Sequence, residues 1–142
     1  MRLLLDTHYL IWLIADPDEI TPTERRVLDD PDQALLISPV SIWEIRIKWQ
    51  AFDRRGLAER ALHPEQALAF VSESALALVD LTGPACAAIL DVPMTHRDPF
   101  DEQLLIHAQR LEAKLFTRDR LLAGLRRLLR HAVLEGQPLS GL

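Results

Sequence analysis

The sequence is poor in several features that define other classes of protein. Its 142 residues include one cysteine, Cys86, so neither an internal disulfide nor a cysteine-rich zinc site can form. No apolar run approaches the about 20 residues that a membrane-spanning helix needs. Lys and Arg number 16 against 21 Asp and Glu, so no overall positive field indicates nucleic-acid binding. A cytoplasmic protein without a membrane segment is therefore predicted.

Apolar residues, in contrast, make up 49% of the sequence, which is enough for a sizeable core. The length fits one domain over residues 1–142, with an irregular polar tail at 137–142. The apolar start Met1–Leu5 is interrupted by Asp6 and no small-residue cleavage site follows, so it is interpreted as a buried strand rather than a signal peptide. Cys86, in the apolar run 85–90, is predicted to lie in the core.

Short apolar runs alternate with segments of helical periodicity along the chain. Leu3–Leu5 is followed by apolar residues at helical spacing up to Ile14, and Ala34–Ile37 is followed by a helix that Ser38 and Pro39 open. Further strands are predicted at Leu76–Leu81, Lys114–Phe116 and Ala132–Leu134. The pattern predicts an α/β fold, in which a mostly parallel sheet of about four or five short strands is covered by helices on both faces.

Acidic residues follow the predicted strands or open the helices after them. Because the carboxyl ends of parallel strands share one edge of a sheet, these side chains are expected to face one cleft. Each also has a simpler explanation, since Asp is a favoured helix N-cap and acidic residues stabilise first turns. Asp98, which precedes Pro99, fits the cap well. The residues concerned are Asp6, Glu44, Asp98, Asp101 and Asp119.

Glu44 could belong to a capping box that starts at Ser41, which would make it structural. Ser38-Pro39 is the better helix start, because proline favours the first helical position, and this start places Glu44 in the second turn. Two interpretations then stay open for Glu44. It is either a solvated side chain paired with Lys48, four residues later, or a carboxylate turned into the cleft.

Several carboxylates at one edge of a sheet repel each other unless a cation lies among them. Mg²⁺ takes oxygen ligands and binds through one or two carboxylates and several waters, which leaves room for a phosphate. Mn²⁺ suits the same ligands. A site for one of these two ions is therefore predicted at the carboxyl edge.

Four segments of the sequence resemble the ordered motifs of PIN-domain ribonucleases, and most closely those of VapC-type toxins. Each segment alone is a weak signal, but the four occur in the family's order and span Leu3 to about Leu134. The segments are Leu3-Leu4-Leu5-Asp6-Thr7-His8, Ser38-Pro39-Val40-Ser41-Ile42-Trp43-Glu44-Ile45, His96-Arg97-Asp98-Pro99-Phe100-Asp101 and Phe116-Thr117-Arg118-Asp119.

This resemblance implies a three-layer PIN-like fold and a Mg²⁺- or Mn²⁺-dependent endoribonuclease that acts as the toxin of a type II toxin–antitoxin pair. The acidic quartet of the family matches Asp6, Glu44, Asp101 and Asp119 here, with Asp98 as a further possible metal ligand. Position in the helix favours Asp101 over Asp98 as the direct ligand. The polar neighbours that would orient these carboxylates or bound waters are Thr7, Ser41 and Thr117.

The resemblance also implies partners. A VapB-type antitoxin, encoded separately, is expected to bind near the site, and an apolar groove around Trp12, Trp43 and Phe52 is predicted to receive it. A homodimer is expected as well. For the RNA substrate, the predicted phosphate contacts are Arg118 and Arg120.

Trp12, Trp43 and Trp49 lie in apolar segments, so a place in the core or at a dimer interface is favoured over stacking on RNA bases. Other functions stay open. A haloacid-dehalogenase-like phosphatase is disfavoured, because it needs a second Asp two residues after the first and this chain has His8 there. A non-catalytic metal- or nucleic-acid-binding adaptor and a housekeeping RNA-processing nuclease are the remaining alternatives.

Overall fold

Four helices begin at a proline that follows a polar residue, a combination that fixes the first turn. Pro22, Pro39, Pro64 and Pro99 occupy these first positions. The residues before them accept a hydrogen bond from the backbone of the first turn, as N-caps do. The helix start that the sequence favoured at Ser38 is confirmed, since its hydroxyl accepts from the Val40 N–H at 3.1 Å.

The computed structural model describes residues 1–90, 98–118 and 133–135. The strands in these ranges are β1 (Arg2–Leu5), β2 (Ala34–Ile37), β3 (Ala77–Leu78), β4 (Lys114–Thr117) and β5 (Val133–Glu135). The helices are α1 (Thr7–Ala15), α2 (Pro22–Leu28), α3 (Pro39–Arg54), α4 (Pro64–Glu73), α5 (Gly83–Ala87) and α6 (Pro99–Arg110). Short 3₁₀ turns lie at Pro17–Glu19 and Ala58–Arg60.

The described strands form a parallel sheet in the order β3-β2-β1-β4-β5. The first strand is therefore in the middle, with Leu4 opposite Leu36 on one side and Leu115 on the other. The carboxyl ends of β1, β2 and β4 lie side by side, and the backbone N–H of Asp6 donates to the Phe116 carbonyl at 3.0 Å. This edge is where the sequence placed the candidate site.

Successive side chains along each strand point to opposite faces of the sheet, so a hydrophobic core forms on each face. On one face, Leu3 and Leu5 pack with buried residues of α1 and α4. On the other face, Leu4 packs with Leu104 and Leu105 of α6. Helices thus cover both faces, and the predicted α/β fold with three layers is confirmed.

Two expectations from the sequence are wrong. The strand predicted over Leu76–Leu81 is only β3, because its one neighbour, β2, ends at Ile37 and the ladder closes with the Val79 N–H to Ile37 carbonyl bond at 3.0 Å. Cys86 is exposed, since the short helix α5 buries Ala85 instead. Within the ranges that the structure describes, no helix is long and apolar enough to cross a membrane.

Candidate active site

Asp6 lies where β1 passes into α1, and only 6% of its surface is exposed. It is the N-cap of α1, because its Oδ1 lies 3.4 Å from the His8 N–H, so the simpler explanation of Asp6 as a helix cap is correct. Its other oxygen accepts a hydrogen bond from the Thr117 hydroxyl at 2.6 Å, across from the end of β4. A capping role alone, however, does not explain why Asp6 is buried or why a residue of β4 donates a hydrogen bond to it.

The electrostatics around Asp6 keep it ionised. Burial by itself raises the pKa of Asp6, but hydrogen bonds from His8 and Thr117 outweigh burial and hold this pKa below its usual value. The imidazole Nδ1 of His8 lies 3.5 Å from Asp6 Oδ1, and this contact raises the pKa of His8. The charges of Glu44 and Lys48 also act on His8, so the start of α1 and the second turn of α3 share one electrostatic environment.

Glu44 projects from α3 and is 8% exposed, so it is turned inward rather than solvated. Its Oε2 nevertheless lies 3.1 Å from Lys48 Nζ, one helical turn later. The solvated interpretation of Glu44 is therefore wrong in its exposure, although the predicted ion pair with Lys48 is present; a place in the metal site stays a prediction. Thr7 and Ser41, both fully buried, join α1 to α3 through a hydroxyl–hydroxyl hydrogen bond of 2.9 Å.

Asp98 and Asp101 reach the same edge of the sheet from the start of α6. Asp98 is the N-cap and accepts from the Phe100 N–H at 2.9 Å, while Asp101 lies half-buried in the first turn. A buried histidine further along this helix, His107, shares a hydrogen bond of 2.8 Å with the Ser38 hydroxyl at the start of α3. This bond ties the helix of Asp101 to the helix of Glu44.

The oxygen donors at this edge fit Mg²⁺ or Mn²⁺ rather than zinc, which prefers nitrogen and sulfur ligands. Asp6 is ionised and held by Thr117, as a carboxylate ligand supported from behind would be. Among the described side chains, no three of His, Cys, Asp or Glu lie close enough to hold a metal ion together, so Asp6, Glu44, Asp98 and Asp101 do not form one cluster here. Asp119, the remaining predicted ligand, and Arg120 lie outside the described residues.

A second charged cluster, which the sequence analysis did not anticipate, lies behind the site. Glu24 of α2 is fully buried, and the guanidinium of Arg118 binds both its oxygens, with Nε to Oε2 at 2.8 Å. The Tyr9 hydroxyl also donates to Glu24. Arg118 donates as well to the Glu19 carbonyl at 2.6 Å and lies over the Trp12 ring, 4.3 Å from its centroid.

This cluster changes what we expect of Arg118. Burial raises the pKa of Glu24, but the hydrogen bonds from Arg118 and Tyr9 hold it below its usual value, and the same pairing raises the pKa of Arg118. RNA contact by Arg118 stays a prediction, but its guanidinium already has internal partners. The Thr21-x-x-Glu24 capping box was the only sequence signal of Glu24's position, and it says nothing of the distant arginine.

The tryptophans differ in environment. Trp12 is half-buried against Tyr9 and Arg118, whereas Trp43 is 51% exposed and is therefore not a core residue; its place at a dimer interface stays a prediction. Its side of α3 points away from the buried residues Ile45 and Glu44. Trp12 and Trp43 therefore do not share a common packing environment.

Comparisons with known proteins agree with this architecture. A family model described as "PIN domain" matches residues 3–128. A search of curated proteins gave no significant match. Among solved structures, VapBC2 from Rickettsia felis bound to a promoter DNA fragment aligns with a TM-score of 0.62 and 15% identity over 95% of this chain and 98% of that one.

Two further solved structures align over nearly their full length. DNA-bound VapBC from Salmonella typhimurium has a TM-score of 0.57 and 21% identity, covering 96% of this chain and 99% of that one. VapBC-1 from nontypeable Haemophilus influenzae has a TM-score of 0.61 and 18% identity, covering 96% and 98%. At these identities the likeness concerns the fold.

Proposed function

Because this chain belongs to the PIN domain family, we propose that it is a Mg²⁺- or Mn²⁺-dependent endoribonuclease that acts as the toxin of a VapBC-type pair. The observation that carries the proposal is Asp6, a buried carboxylate whose pKa is held low by Thr117 and His8 at the carboxyl edge of the sheet. Buried, ionised carboxylates at such an edge are typical of catalytic sites.

The chain's own residues divide the work. Asp6, Glu44, Asp101 and Asp119 are the proposed ligands, with Asp98 as the cap that orients the start of α6. Thr117 fixes Asp6, and the Thr7–Ser41 bond fixes α1 against α3, so the carboxylates of the two helices keep their spacing. A divalent cation, when bound, would stabilise negative charge on the scissile phosphate and activate water for attack on phosphorus.

Cleavage assays with purified protein test the nuclease half of the proposal. The protein should cut single-stranded RNA with Mg²⁺ or Mn²⁺ and stop when the metal is chelated. Asp6→Asn, Glu44→Gln, Asp101→Asn and Asp119→Asn should each abolish cutting, because an amide does not supply the charge that holds the cation. Asp98→Asn should cut well, since Asn is a good N-cap. A protein that binds RNA but never cuts it would favour the adaptor alternative.

The toxin half rests on the alignment with VapBC complexes and needs a test in cells. Expression of the protein alone in a bacterium should arrest growth, whereas the Asp6→Asn protein should not. A small protein encoded beside it, the proposed VapB-type antitoxin, should relieve the arrest and copurify. Tolerated expression of active enzyme would instead indicate a housekeeping nuclease. If the Asp6→Asn protein also arrests growth, the carboxylate site is not the cause of the arrest.

A further inference from the structure

Trp43 presents a large aromatic surface to solvent in the middle of a long helix. It is 51% exposed, and Ile47, one turn later on α3, is 38% exposed. Neighbouring residues of the same helix, Ser41, Glu44 and Ile45, are buried. An aromatic side chain of this size on a surface is a common feature of binding sites.

The Trp43 ring is held in place rather than loose. It meets Phe100 in a T-shaped contact, with ring centroids 5.2 Å apart and planes at 77°. Phe100 is half-buried, packs against the core beneath α6, and lies between Asp98 and Asp101 in the sequence. The aromatic pair therefore bridges the two helices that carry the candidate carboxylates, and Trp43 directly precedes Glu44.

Two basic residues, Arg46 and Lys48, follow Trp43 on α3, although the chain as a whole carries a net charge of −5. Lys48 Nζ is 3.1 Å from Glu44, and the Lys48 side chain is 45% exposed. Arg46 is exposed as well, with its guanidinium 2.9 Å from the Gln50 side-chain oxygen. Arg46 is three residues, or about one helical turn, after Trp43, and Lys48 binds Glu44, the next residue after Trp43. The helix therefore offers an exposed ring and two cations to a nucleotide, which has a flat base and a phosphate on each side.

We propose that Trp43 stacks on one unpaired base of a single-stranded RNA, and that Lys48 and Arg46 contact the adjoining phosphates. The inference rests on the proposed nuclease function and assigns it a base-binding position. Trp12 does not offer the same surface, because Arg118 lies over its ring. Stacking is tolerant of sequence, so this position would hold the strand in register at the site without selecting a base.

Binding measurements with a short single-stranded RNA oligonucleotide test the proposal. In an Asp6→Asn background, which prevents cutting, Trp43→Ala should weaken binding by about 10-fold or more, whereas Trp43→Phe should keep most of it. Leu68→Ala is the matched control, because Leu68 is 44% exposed on α4 and its loss should leave binding unchanged. Circular dichroism melting confirms that each variant folds.

A second measurement tests whether the Trp43 ring contacts one particular base of the oligonucleotide. An abasic position walked along the oligonucleotide should weaken binding at one place with Trp43 present and have no such effect in Trp43→Ala, so the two losses are not additive. Equal binding by Trp43→Ala, or an unchanged abasic profile, overturns the proposal and assigns the exposed ring to a protein partner. If the wild-type protein cuts RNA but Trp43→Ala binds RNA as tightly as the protein with Trp43, the stacking proposal fails and the nuclease proposal stands. If the wild-type protein neither binds nor cuts RNA, both proposals fail.

Discussion

Glu24 and Asp6 are both buried carboxylates, with 0% and 6% of their surface exposed, but their partners differ. Glu24 receives the Arg118 guanidinium and the Tyr9 hydroxyl, so a full positive charge lies within hydrogen-bond distance. Asp6 receives the Thr117 hydroxyl and a backbone N–H, and the imidazole beside it belongs to the exposed His8.

This difference separates a structural carboxylate, Glu24, from the proposed metal ligand, Asp6. A buried carboxylate that is paired with a guanidinium is neutralised inside the fold, and removing one partner leaves an uncompensated charge. A buried carboxylate whose partners are a hydroxyl, a backbone N–H and an exposed imidazole has no guanidinium fixed to it inside the fold, so its charge stays available to a cation from solution. Burial and a lowered pKa occur at both residues, so neither property identifies the site by itself.

The largest effect is expected at Asp6. Asp6→Asn should lower the rate of RNA cleavage by more than about 100-fold, beyond the about 10–100-fold typical of residues behind a metal ligand. Its unfolding free energy should change by only about 1 kcal/mol or less, because Asn caps a helix well and its amide oxygen accepts the Thr117 hydrogen bond. Cleavage assays and urea denaturation on one preparation measure both. A large loss of unfolding free energy in Asp6→Asn would instead indicate that Asp6, like Glu24, is a structural carboxylate.

Glu24→Gln should do the reverse. We expect a loss of about 2–3 kcal/mol in unfolding free energy, at the low end for a broken buried pair because Arg118 is 23% exposed. Cleavage at low temperature should fall by less than about 10-fold. Arg25→Gln, which removes the exposed pair with Asp29 on the same helix, is the control and should cost less than about 1 kcal/mol. Equal losses in the two variants would contradict the contrast drawn above.

Thr117→Val should show an intermediate effect. It keeps the shape of the side chain but removes the hydroxyl that donates to Asp6, so cleavage should fall by about 10–100-fold. Stability should drop by about 1–2 kcal/mol, because a buried acceptor loses a partner. Thr117→Ser restores the hydroxyl and should restore the metal affinity, measured by titration calorimetry with Mn²⁺. Unchanged Mn²⁺ affinity in Thr117→Val would limit Thr117 to a structural role.

The smallest effect concerns acid stability. The folded pKa of Glu24 lies below its unfolded value of 4.5, so its ionised form stabilises the fold above about pH 4.5 and this stabilisation is lost as the pH falls through the folded pKa. The difference in unfolding free energy between wild type and Glu24→Gln should therefore shrink by about 1 kcal/mol or more between neutral pH and about pH 3. Urea titrations at several pH values measure it. If the difference in unfolding free energy between the two proteins does not change with pH, ionisation of Glu24 is not the source of the stabilisation.

Local signals predicted most of the fold because they act over a few residues. Ser38 before Pro39 set the start of α3, and that start placed Glu44 in the second turn rather than in a capping box. The four-residue spacing of Glu44 and Lys48 then predicted their ion pair, as observed. The contact between Glu24 and Arg118 joins residues 94 positions apart, and no local pattern encodes it. For Trp43 the sequence left both a core position and an exposed position at an interface open, because apolar neighbours in sequence do not reveal which side of a helix finds a partner inside the fold; the structure exposes it.

The bond between Thr117 and Asp6 spans 111 positions of the chain, and it joins the end of β1 to the end of β4. On the ribosome, where about 5–20 residues are added each second, β1 waits at an unfinished edge until β4 emerges. A product released before Lys114–Thr117 contains Asp6 and Glu44 but neither the neighbouring strand nor the hydroxyl that holds Asp6. Chains that end before β4 therefore lack the arrangement on which the proposed chemistry depends.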